Sequence, residues 1–178
     1  YWNWRNNEGL IQRFPSAPKK TGLHRRLCEA GLDERGISYI ATPSSDEFDL
    51  IRQRAKRHLA AGGSENQIPA ANQLWMLVGF ALFQFLRQEW ECLEVFPQAI
   101  VAVLGVNRIH KSSHEGCFAQ LRAIAAQTGW PAIPGIQDLA EIGYGSSHDR
   151  LDAYMSAWVA SLDESDRQRI GVPPEDVI

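Results

Sequence analysis

The sequence predicts a helix-rich α/β domain, and three observations carry that expectation. Two short β-branched and aromatic stretches, Ile37 to Thr42 and Glu91 to Phe96, have the composition of strands. Each is followed at once by a helix signal, and apolar residues recur at helical spacing through most of the remaining chain. At 178 residues, 44% hydrophobic and 22% charged, the chain is sized for one domain (1–178) with a core of its own.

Taken in order, residues 1–20 hold two tryptophans, Asn6-Asn7, Gly9, Pro15 and Pro18 without sustained periodicity, and are expected to be an irregular lead-in. Thr21 then caps a helix through about Glu34, with Leu23, Leu27, Ala30 and Leu32 as its apolar stripe and Gly36 placed to end it. Ile37 to Thr42, stopped by Pro43, is the first strand. Ser44 and Glu47 form a capping-box pattern for a helix through about Ala60 whose outer side carries Arg52, Arg54, Lys56 and Arg57. Gly62-Gly63 ends it. That basic side suits either solvent or nucleic acid.

A long apolar helix follows from about Ala70 to Glu89, and Leu74, Leu77, Val78, Ala81, Leu82 and Phe85 make it the expected central core helix. Glu91 to Phe96 is the second strand. Pro97, which suits a first helical turn, starts a helix to Leu104 with Gly105 as its stop. Ser112 and Glu115 introduce a helix through about Gln127, and Trp130 to Ile136 is a proline-rich connector. A short helical piece, Gln137 to Ile142, precedes the turn Gly145-Ser146-Ser147, from which the last helix starts; Leu151, Tyr154, Met155, Trp158 and Leu162 are its apolar residues. Residues 163–178 form a charged, proline-containing tail in which Val177-Ile178 resembles the start of a strand.

The candidate site residues are acids in contrasting settings. Asp149 and Asp152 share one face in the first turns of the last helix, as cation ligands or as ordinary first-turn acids favoured by the helix dipole. Glu94 ends an apolar strand, where a carboxylate needs a cation, donors, or the water of a sheet edge. The net charge of -3 provides no global basic field, so nucleic acid would be held by a local patch or through metal ions. Cys28, Cys92 and Cys117 are odd in number and widely spaced, which argues against a disulfide framework and a structural zinc site and for a reducing, cytoplasmic compartment. No signal peptide opens the chain, and Leu74 to Leu86 is too short to span a bilayer, so no membrane association is expected. The start at Tyr1 without methionine reads as that of a segment of a longer chain. A serine or cysteine hydrolase lacks its Gly-x-Ser-x-Gly elbow here.

Three pieces stand in order: Glu94-Val95-Phe96-Pro97, then Lys111, then His148-Asp149-Arg150-Leu151-Asp152-Ala153. Together with Arg25-Arg26-Leu27-Cys28-Glu29 they resemble domain-of-unknown-function family 429, predicted nucleases of ribonuclease H-like fold, over about residues 21–162. The resemblance implies a ribonuclease H-like α/β core and a divalent metal site holding magnesium or manganese for phosphodiester cleavage. Carried over, Glu94, Asp149 and Asp152 become metal ligands. Lys111 becomes a phosphate contact, and His148 either orients water or phosphate or caps the helix. The family's earlier acidic strands have no counterpart, since residues 1–20 contain Glu8 as their one acid, so the implied core is incomplete at its N-terminus. That departure leaves a second expectation, a degenerate, non-catalytic module that binds nucleic acid or a protein partner.

Overall fold

The computed structural model describes residues 26–43, 45–172 and 176–177. The lead-in with Trp2 and Trp4, the first residues of the helix expected from Thr21, the cap expected at Ser44, and Ile178 lie outside them. The chain divides into two compact units, one formed by residues up to 35, 39–92 and 170–177, the other by 36–38 and 93–169.

Among the described residues the fold is helical, and the expected α/β sheet is absent. The paired strands are β1 (Gly171–Val172) and β2 (Asp176–Val177), two residues each, antiparallel, with Gly171 opposite Val177 and Val172 opposite Asp176. Neither Ile37 to Thr42 nor Glu91 to Phe96 forms a ladder. Both are β-favouring by composition, but a strand is completed by a neighbouring strand, and among the described residues none pairs with them. With no parallel sheet among the described residues, the expected ribonuclease H-like α/β core is not found there.

The first unit contains α1 (Leu27–Glu34), α2 (Ser45–Ala60), α3 (Ala71–Leu86) and the β1–β2 pair. Helix α1 buries Cys28 and Leu32 and packs against β1 and β2. Gly31 permits this: a methyl group there would stand 2.6 Å from the buried Ile170 side chain. Gly36, at φ +66°, ends the turn after α1 as its sequence position suggests.

Glu29 holds the end of the Ile37 to Thr42 segment against α1. Its carboxylate accepts from the Arg26 amide at 3.2 Å and from the Thr42 amide at 2.7 Å, so one buried side chain both caps α1 and holds the far end of the segment. Helix α2 buries Phe48, Ile51 and Ala55, spaced three and four apart. Phe48, near its start, meets Phe80 in the second half of α3 edge-on at 6.0 Å, and the two helices pack together there.

The second unit is built from α4 (Pro97–Val103), α5 (His114–Thr128), a 3-10 turn (Ile136–Glu141), α6 (Ser147–Ser161) and a final 3-10 turn (Glu164–Asp166). Its core joins Ile100 and Val101 of α4, Cys117, Leu121 and Ile124 of α5, Leu139, and Leu151 and Met155 of α6. Pro97 begins α4, and Gly105, at φ +71°, follows its end. Helix α5 is capped by Ser113 rather than Ser112, the hydroxyl accepting from the Gly116 amide at 3.0 Å. At the other end of α5, Tyr154 of α6 stacks edge-on against Trp130 at 5.3 Å, and its hydroxyl donates to the Trp130 carbonyl.

Burial raises the Glu29 carboxyl above its ordinary value of 4.5, only partly offset by the Thr42 and Arg26 hydrogen bonds. Between the ordinary and the raised value the folded chain therefore binds more protons than the unfolded chain, and stability falls as pH rises through that window. Urea unfolding between pH 4 and 7 is expected to show this negative slope in the wild type. In Glu29→Gln, which has no proton to release, the slope is expected to shrink.

Candidate functional site

The residues singled out in the sequence all lie in the second unit, and the structure brings two of them together. Lys111, in the loop before α5, forms an ion pair with Asp152 of α6, with their side chains 17% and 30% exposed. The contact spans 41 residues of sequence and depends on how that loop is seated.

Gly116 seats it. A methyl group on Gly116 would lie 2.2 Å from the His110 carbonyl oxygen and 2.9 Å from that of Ile109, so the loop backbone occupies the space a side chain would need. Hydrogen bonds hold it there: Ser113 donates its hydroxyl to the His110 carbonyl at 2.9 Å, and Gln120 donates its amide to the Ile109 carbonyl at 3.3 Å. The His110 ring bonds the Ser112 hydroxyl at 2.9 Å. With residues 109–113 tied to the first turns of α5, Lys111 reaches across to α6.

Asp149 does something else. Ser146 caps α6, accepting from the Asp149 amide at 3.4 Å and donating its hydroxyl to the Asp149 carboxylate at 2.6 Å. His148 lies 3.2 Å from the other carboxylate oxygen. The Ser146 hydrogen bond, helped by His148, holds the Asp149 carboxyl below its usual range against slight desolvation. This is the capping alternative for Asp149, with His148 beside it at the helix start. The two acids, one turn apart, are thus directed to different partners.

Glu94 is exposed in the segment before α4. Among the described residues no group of three or more histidine, cysteine, aspartate or glutamate side chains is arranged to hold a metal ion. The donor set does not fit magnesium or manganese, which needs several oxygens converging on one point: Asp152 is engaged by Lys111 and Asp149 by its cap. Beside the pair lies Cys117, 3% exposed, whose thiol is pushed up mainly by burial. It is a core residue and remains protonated at neutral pH.

The surface that sequence reasoning missed belongs to the first unit. Helix α3 has no buried residue. Trp75, Val78, Leu82 and Phe85, three, four and three residues apart, are 71%, 55%, 55% and 69% exposed. Met76, Leu77, Phe80 and Phe83, on the other side of the helix, are half-buried. The signal was present, since no charged residue occurs from Asn66 to Leu86. A helix apolar all round needs cover on both sides, and α2 covers one. No helix among the described residues is long and apolar enough to cross a membrane.

Comparison with protein-family models, curated proteins and solved structures finds no match for this chain. The resemblance to family 429 therefore rests on its motifs alone.

Asp152→Asn separates the two roles of this acid by sign. In an ion pair, the change leaves the Lys111 ammonium half-buried without its counter-charge and is expected to cost about 1–3 kcal/mol in chemical denaturation. In a carboxylate cluster it would relieve repulsion and stabilise the metal-free chain. Gly116→Ala forces the loop off α5 and is expected to cost about 1–3 kcal/mol or more. Because it also displaces Lys111, the double variant is expected to be less destabilised than the two single costs added together.

Proposed function

We propose that this chain is a non-catalytic interaction module that docks an apolar protein surface through the outward face of α3. The observation that carries this is the stripe of Trp75, Val78, Leu82 and Phe85, large apolar side chains that stand exposed on a helix without charge. A contiguous exposed apolar patch of this kind marks an interaction site, and aromatic side chains are the usual anchors of such contacts.

The charge distribution favours protein over nucleic acid. Helix α2 exposes Arg52, Arg54, Lys56 and Arg57, but also Asp46, Glu47 and Asp49 near its start, and the chain as a whole carries -3. A phosphate backbone requires a more uniform positive field. A divalent-metal nuclease is the second reading, carried by the motif resemblance: Lys111 and Asp152, two of its motif residues, lie together, though paired with each other rather than open to a cation. It would be tested by phosphodiester cleavage with magnesium or manganese, and by whether either ion raises the melting temperature.

A face used between molecules contributes little to the folding of one. The pair Trp75→Gln with Leu82→Gln is therefore expected to cost less than about 1 kcal/mol in unfolding at low protein concentration. Leu121→Ala, in the core of the second unit, is the comparison and should cost about 2–5 kcal/mol. A concentration-independent loss of several kcal/mol in the α3 variant would make the stripe internal packing and end the docking proposal.

A further inference from the structure

We infer that the partner of α3 is a second copy of this chain, the two α3 helices packing antiparallel about a two-fold axis through their outward faces. The inference rests on the docking role proposed above and names its occupant.

The stripe is self-complementary. Its spacing of three, four and three residues reads the same in either direction about position 80. An antiparallel copy therefore sets Trp75 against Phe85, and Val78 against Leu82. A two-fold interface demands that kind of reciprocity, each residue meeting its partner's equivalent twice. Gly79 and Ala81 lie on either side of the centre, and nothing stands within 4 Å of where a Gly79 side chain would begin, so two backbones have room to approach.

The area is of the right order. Trp75 and Phe85, each uncovered by about 70%, offer on the order of 100–170 Å² apiece from side chains of about 150–250 Å². With Val78, Leu82 and their counterparts, the pair buries on the order of 1,000 Å², near the lower bound of about 1,000–1,200 Å² for a specific contact.

The test is light scattering coupled to gel filtration, or sedimentation equilibrium, on the 178-residue chain over a concentration series. The expected mass is twice 20.0 kDa at the upper end and falls on dilution. Trp75→Glu or Phe85→Glu, each checked for helicity by circular dichroism, should weaken association at least ~30-fold, because each places a carboxylate in an apolar seam. A dimer that persists in both variants would overturn the inference by placing the contact elsewhere. A monomer at every concentration would also overturn it. In that case, tolerance of the Trp75→Gln, Leu82→Gln pair leaves α3 to a different protein and the docking role standing, whereas unfolding of that pair removes both. Loss of helicity in both glutamate variants would likewise show α3 to be internal and overturn the inference.

Discussion

At Gly116 the carbonyl of His110 lies where any side chain would have to be, and much of the second unit follows from that contact. It fixes the loop before α5 against the helix that the loop caps. Once the loop is fixed, Lys111 has one direction in which to point, across to Asp152 on α6, and the helices meet over Leu121, Ile124, Leu151 and Met155. Half-buried ion pairs return little net energy, because desolvation offsets attraction. The contribution of this pair is to specify how a loop and two helices register, while the apolar core supplies the cohesion.

The helices were legible because their determinants are local. Pro97 at a first turn, Gly105 and Gly36 beyond last turns, and Ser146 ahead of α6 each act within a few residues of where they stand. Val177, expected near the start of a strand, does fall in β2, but the two longer strand expectations failed, because pairing is a property of two segments. Ile37 to Thr42 has strand composition, yet its end is tied by the Glu29 carboxylate thirteen residues earlier. The acids show the same division. Asp149 does what its position in a first turn suggests, whereas the partner of Asp152 lies 41 residues away and could not be read from neighbouring residues. Lys111 and Asp152 were both singled out from motifs, but as members of a metal and phosphate site rather than as partners of each other.

Helix α3 illustrates a separate difficulty. Hydropathy establishes that a segment avoids water without saying what covers it, and an uncharged run from Asn66 to Leu86 satisfies a core and an interface equally well. Geometry breaks the tie: Phe80 faces Phe48 while Trp75 and Phe85 face outward. The conformational entropy of holding large aromatic side chains is small, so such a face is prepared for contact before the contact is made.

A face that only a second copy covers ties the lifetime of the chain to its abundance. Each newly made chain carries Trp75 and Phe85 uncovered until it meets another, and during that interval it is open to proteases, chaperones and mispairing. At low abundance the interval lengthens and turnover outpaces assembly; at higher abundance pairing shields the helix. The amount of protein present then follows a threshold rather than the rate of synthesis alone, a form of dosage control that requires no regulator beyond the α3 helix.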